Sequence, residues 1–345
     1  LEVLSRLTSN KKLIAVLTGQ FGDYGLPPAQ SSFAMHAMLV RHYFNGGAYP
    51  VGGSSRIFES MAPIIQAAGG VIATNADVSR VVTSSGVATG VEMADGRVIS
   101  APIVVSGAGV PTTVKSLLTP QDAQKTRLDQ CVKTVTRSAA HICLYLGFNG
   151  TTESLNLPKA NWWYYPEEYD HDLNVQRYVN DPDAPFPVVY ASFPSAKDPS
   201  WATRFPDRST VELVTLAPYD WFAPWEDKKW GKRGEDYDQL KANFTDRLLG
   251  KLFELEPHLR SAVDHVELST PLSTRHFCNY DKGEIYGLDH HPTRFAQRIL
   301  KPKTAIKGFY LTGQDVATAG IGGAMVGGVL CASVILKQNL MKEVM

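Results

Sequence analysis

The sequence has no surplus of charge of either sign: 34 Lys and Arg face 34 Asp and Glu. A nucleic-acid binder needs a cationic footprint, and no basic run supplies one locally, so that class is excluded. Cysteine is scarce as well. Cys131, Cys143, Cys278 and Cys331 lie far apart with no CxxC pair, which removes a disulfide scaffold and a zinc ribbon. No GxSxG elbow is present, and the serines, histidines and aspartates carry no local triad signature. His290-His291, near Asp289 and Cys278, fits no helix or hairpin ligand spacing, so no metal is expected. A GxGxxG fingerprint is missing too. Gly107-Ala108-Gly109-Val110-Pro111-Thr112 follows an apolar run but lacks the last glycine and puts Pro111 where a helix should begin. The chain opens Leu1-Glu2-Val3-Leu4-Ser5-Arg6, without a basic n-region or an apolar h-region. No targeting signal is read there, and a processed or truncated piece is expected.

What is there suits a globular chain of about two domains, since 345 residues carry 44% hydrophobic and 20% charged residues. Leu13, Ile14, Leu17 and then Ala34, Met35, Met38, Leu39 recur at helical spacing over residues 1–44, broken at Gly25-Leu26-Pro27-Pro28. After Tyr49-Pro50-Val51-Gly52-Gly53-Ser54-Ser55 a second helix is expected, with Ile57, Met61, Ile64, Ile65 and Ala68 as its apolar face and a kink at Pro63. Residues 71–106 change to β-type runs, punctuated by Ser84-Ser85-Gly86 and by the hairpin signal Ala94-Asp95-Gly96-Arg97. Ile103-Val104-Val105 reads as a strand of a buried parallel sheet. All six tryptophans (Trp162, Trp163, Trp201, Trp221, Trp225, Trp230) fall between 120 and 265. Strands over His141–Phe148 and Val211–Ala217 and a helix over Tyr237–Glu256 mark a second domain there. Its aromatics fill one sheet-on-helix core or line an apolar substrate cavity.

The C-terminal stretch concentrates the chemistry. Gly308 to Leu311 reads as a strand running into Thr312-Gly313-Gln314-Asp315, then the glycine-rich Thr318-Ala319-Gly320-Ile321-Gly322-Gly323-Ala324, then a helix. A glycine turn at a helix N-terminus offers free backbone N–H groups to an anion or a polar edge. Small residues there also suit close helix packing. A third reading is a membrane helix with a GxxxG face, since Ala319 to Leu336 carries no charge. Clustered glycines and absent aromatic belts weigh against it.

Three motifs carry a resemblance. His42-Tyr43-Phe44-Asn45-Gly46-Gly47-Ala48-Tyr49-Pro50-Val51-Gly52-Gly53-Ser54-Ser55, Gly283-Glu284-Ile285-Tyr286-Gly287, and Tyr310-Leu311-Thr312-Gly313-Gln314-Asp315 with Gly320-Ile321-Gly322-Gly323-Ala324 are similar to those of the retinol saturases and their carotenoid isomerase and desaturase relatives. The resemblance runs over nearly the whole chain. It implies an α/β fold: an FAD/NAD(P)-binding Rossmann-like domain lacking its N-terminal βαβ unit, with an inserted α+β, β-sheet-based substrate domain. Residues 1–40 would form a helical cap, 41–118 and 266–345 the middle and C-terminal parts of the FAD domain, and 119–265 the substrate domain. Asp315, after Gly313, would meet ribityl or pyrophosphate oxygens. Gly322, Gly323 and Ala324 would present N–H groups to the flavin, Val78 its backbone to the adenine, and Ala108-Gly109 would lie along the ADP half.

The activity so implied is hydride transfer between flavin N5 and a conjugated polyene, a retinoid or carotenoid. FAD is the cofactor, with NAD(P)H admitted as electron donor. A cis–trans isomerase or desaturase, and a non-catalytic lipid-binding relative, stand as alternatives. The partner is a hydrophobic small molecule rather than a nucleic acid, and peripheral contact with a membrane (endoplasmic reticulum or plastid) is compatible with the resemblance. No side chain is singled out as proton donor.

Overall fold

The computed structural model describes residues 1–344. Three short helices, α1 (Glu2–Leu7), α2 (Lys11–Thr18) and α3 (Phe33–His42), build the first segment. The Asn10 side chain caps α2 by accepting the Leu13 N–H. The chain between α2 and α3 buries Phe21 and Tyr24, which pack with Met35 against Val188, Trp163 and Tyr165. This segment therefore lies on the large sheet described below. The next helix, α4 (Ser55–Ala67), is one helix through Pro63. Its apolar face forms but finds no cover among the described residues: none of its residues is buried, and Phe58, Met61 and Ile64 are exposed.

Strands β1 (Val78–Ser84), β2 (Val87–Met93) and β3 (Val98–Ser100) form an antiparallel meander in that order. Ser85 and Gly86 both hold positive φ in the first two-residue turn, the backbone that suits the twist of a hairpin. Strand β4 (Val104–Ser106) then pairs in parallel with the distant β10 (Phe309–Leu311), Val105 opposite Tyr310. Val104, Phe309 and Leu311 share one core with Val81, Ala88, Val110, Leu288 and Ile306. Helices α5 (Pro120–Thr126) and α6 (Leu128–Thr134) join it through Ala123, Leu128 and Cys131. The first core thus reaches about residue 135, beyond the boundary at 118 drawn from composition. Residues 119–135 hold no tryptophan or other compositional mark of the core they enter.

The second core belongs to a five-stranded sheet of order β6-β7-β8-β5-β9, all neighbours antiparallel. Its strands are β5 (His141–Asn149), β6 (Trp162–Tyr164), β7 (Val189–Ser192), β8 (Arg208–Leu216) and β9 (Val263–Ser269). Along β8, Ser209, Val211, Leu213 and Thr215 are buried in strict alternation. That face joins Ile142, Leu144, Leu146 and Leu268 to a long helix, α8 (Glu235–Leu255), through Phe244, Leu248 and Leu252. Between β6 and β7 lies α7 (His171–Asn180), whose Tyr178 enters the same core. Strand β9 continues to Ser269, and Leu272 of α9 (Pro271–Cys278) is buried beside it, so the sheet domain closes past 265. Three tryptophans (Trp162, Trp221, Trp225) pack against this core, and Trp163 faces the other way.

Candidate functional site

The strand β10 delivers Asp315 into the seam between the two halves of the first core. The carboxylate is 2% exposed. Its Oδ2 accepts the Val110 N–H at 2.6 Å and its Oδ1 accepts the Leu288 N–H at 2.8 Å. Gly287 holds φ +65°, and a Cβ there would sit 2.2 Å from Oδ1, so only glycine lets this loop close on the carboxylate. Arg294 completes the cluster, donating to the carbonyls of Gln314 (2.5 Å) and Leu288. Burial lowers the pKa of its guanidinium, and the charges of Asp315 and Asp289 partly offset this. Asp315 is therefore held by protein amides on both oxygens. Gly109 and Gly313 flank the same junction: a Cβ at Gly109 would lie 3.2 Å from Tyr280 and 3.5 Å from Asp315 Oδ2, and one at Gly313 would lie 3.9 Å from the Gly107 carbonyl.

The glycine-rich turn opens α10 (Gly320–Leu336). Gln314 Oε1 accepts the Gly320 N–H at 3.2 Å, and no other side chain bonds the first turn among the described residues. Gly322 has no atom near where a Cβ would point, and Ile321 is exposed. Gly323 is different. A Cβ there would meet the Thr318 carbonyl oxygen at 1.8 Å, and one at Gly327 would meet the Gly313 carbonyl at 2.4 Å. The GxxxG pair thus lets α10 lie on its own preceding turn, which answers the dimer reading. No helix among the described residues is long and apolar enough to cross a membrane. The smallness of Gly323 serves this packing, whereas Gly322, with Ala324 half-buried behind it, offers open backbone.

Val78 and Ala108 lie elsewhere, lining a cleft of about 1010 Å³ together with Trp230, Arg233 and Arg275. The named residues thus separate into a cleft pair, a buried junction and an open turn.

The sheet presents its second face to the N-terminal helices. Cross-strand pairing sets Trp163, Tyr190, Val214 and Cys143 in one row. Beside this row Asp23 accepts a hydrogen bond from the Tyr43 hydroxyl at 3.1 Å. Burial raises the Asp23 carboxyl to about 6. Burial likewise raises Tyr165, Tyr190 and Tyr286, each further by the Asp23 charge. Tyr286 rests against Gly25, and Ala319, just before α10, packs with the Phe21–Tyr24–Met35 cluster. An aromatic wall with a carboxyl of raised pKa therefore adjoins the open turn of α10. Tyr43 and Tyr286 lie in two of the motifs quoted above, but no sequence signal marks Asp23 or Tyr190, and the four come from separate segments.

Residues 2–336 match the family described as flavin containing amine oxidoreductase. The chain belongs to this family. It is 37% identical over 353 residues to the all-trans-retinol 13,14-reductase of Danio rerio, covering 99% of this chain and 58% of that protein. For the Homo sapiens protein of that name the identity is 39% over 357 residues, with the same coverage. The chloroplastic prolycopene isomerase of Arabidopsis thaliana is 26% identical over 301 residues, 87% of this chain and 47% of that one. The chain thus spans somewhat over half the length of the two reductases and somewhat under half that of the isomerase. Among solved structures, an oxidoreductase from Methanosarcina mazei superposes with a TM-score of 0.64 at 16% identity, over 97% of this chain and 67% of that one. That likeness shows a shared fold.

Proposed function

We propose that this chain forms the polyene-binding domain and part of the flavin site of an FAD-dependent oxidoreductase, most like an all-trans-retinol 13,14-reductase. Its substrate class is a retinoid or carotenoid. The observation that carries this is the aromatic wall of Trp163, Tyr190, Tyr43 and Tyr286 beside an uncapped glycine turn. Such a wall suits a rigid apolar chain with few polar demands. The turn fits a flavin, because the Ile321 and Gly322 amides have no side-chain partner and nothing crowds Gly322.

Bound there, reduced FAD would supply a hydride to one carbon of a C=C bond. The chain's own residues do the rest. The apolar wall orients the polyene and excludes water. The second carbon needs a proton, and we assign it to Asp23, whose carboxyl burial raises to about 6, near enough to neutrality to give up and regain a proton, and which accepts the Tyr43 hydroxyl. Addition of hydride and proton saturates the bond and balances the reaction.

The test is anaerobic incubation of full-length, flavin-loaded protein with a reductant and all-trans-retinol. Formation of the 13,14-dihydro product supports the reading. Conversion of a cis-carotene to its trans isomer without net reduction would favour the isomerase instead, and neither product from a flavin-loaded protein would leave a non-catalytic lipid binder.

A further inference from the structure

The cleft beside Val78 and Ala108 contains a buried cation that no carboxylate answers. Arg233 is 8% exposed, and its Nε has no partner. Its Nη2 reaches only the Leu272 carbonyl at 3.4 Å, and the guanidinium lies over the Tyr237 ring at 5.1 Å. Taking such a charge out of water is costly unless an anion compensates it.

The surrounding charges do not supply that anion. Lys115 is paired with Asp281, and Arg275 with Glu226 at 2.7 Å. Lys228 and Lys229 add two exposed positive charges without an ion pair among the described residues, and only Asp77 remains as a free carboxylate on the cleft wall. Lys228 donates its ammonium to the Arg233 backbone carbonyl at 3.3 Å. The wall also offers a plate. Trp230 is 50% exposed, with one face stacked on His276 at 5.7 Å and 7°. An aromatic plate beside unpaired cations, in a cleft of about 1010 Å³, is the combination a nucleotide needs: a face for its base and charge for its phosphate.

We propose that Arg233 anchors a phosphate of a nucleotide in this cleft, with Trp230 as the base platform and Lys228 and Lys229 as outer charges. The proposal rests on the flavoprotein reading for the nucleotide's identity. Two sources share this chemistry: the ADP half of FAD, and a nicotinamide nucleotide that delivers electrons.

Full-length protein is compared as wild type, Arg233→Met and Lys229→Glu, with flavin content, the affinity of flavin-free protein for ADP, and that of loaded protein for NADPH read together. Arg233→Met should weaken one nucleotide by at least about 30-fold, the lower end of the effect of removing one partner of a buried charge pair. Lys229→Glu, on an exposed side chain, should weaken the same nucleotide by about threefold. Loss of flavin and of ADP binding identifies the FAD half, whereas loss of NADPH affinity with full flavin identifies the donor. Unchanged affinities in both variants overturn the proposal, as does weakening in Arg233→Met that only follows a fall in melting temperature while Lys229→Glu binds normally. If Arg233→Met does not fold, Lys229→Glu decides alone. A wild type that binds ADP through Arg233 yet carries no flavin would sink the flavoprotein reading and leave this subsite standing.

Discussion

Replacing Asp315 by alanine tests whether that carboxylate holds the fold or the cofactor. The side chain accepts one N–H from Val110 and one from Leu288, two residues on loops 178 positions apart, and sits beside the buried Arg294. Asp315→Ala orphans both amides, and at about 1–3 kcal/mol for each buried group the loss is about 2–6 kcal/mol. Against a total stability of roughly 5–15 kcal/mol this is a large fraction. Denaturant midpoints on flavin-free, full-length protein measure it directly. Gly287→Ala approaches the same contact from the other side, since its Cβ would lie 2.2 Å from Asp315 Oδ1 at φ +65°. It should cost about 1–2 kcal/mol in backbone strain plus the displaced hydrogen bond. Because the two variants damage one contact, the double variant should cost less than the sum of the singles. The reasoning is refuted if Asp315→Ala shifts flavin-free stability by less than about 1 kcal/mol while flavin affinity collapses, or if the two costs add.

Gly323→Val should lower the melting temperature of the flavin-free protein, through overpacking against the Thr318 carbonyl worth at least about 1–3 kcal/mol; normal melting with lost flavin would show that the cofactor, not the turn, needs the space. For Asp23 the unfolded carboxyl ionises near 3.8 and the folded one near 6, so stability should fall as pH rises through that window and stay level above it. Asp23→Asn should remove this slope and raise stability at pH 7 by on the order of 1–2 kcal/mol, while slowing product formation but not flavin reduction; a slope unchanged in the variant would rule Asp23 out as its source. Leu248→Ala, fully buried under the five-stranded sheet, should cost about 2–5 kcal/mol in urea titration, and a cost near zero would mean that α8 does not cover the sheet.

How much of this was legible depends on the range over which each signal acts. Strands at His141 and Val211, the long helix before Glu256 and the hairpin at Asp95-Gly96 lie within a residue or three of where the sequence puts them. Period and turn chemistry are local, so a window of ten residues contains the cause. The glycine turn was equally visible, but its two uses were not separable. Gly322 and Gly323 are adjacent and identical in sequence, yet one faces open space and the other a carbonyl 1.8 Å away, and only the path of residue 318 decides between them. Asp315 is ambiguous for the opposite reason. An acid before a glycine-rich helix start suits a ligand hydroxyl, and nothing near it in sequence reveals that Val110 has already taken one oxygen. Asp23 and Arg233 were invisible because their meaning is a relation between distant segments: four chain regions make Asp23 a buried acid, and the lack of any carboxylate around Arg233 exists only in space. Polar groups buried by long-range packing carry the chemistry proposed here, and periodicity is blind to them.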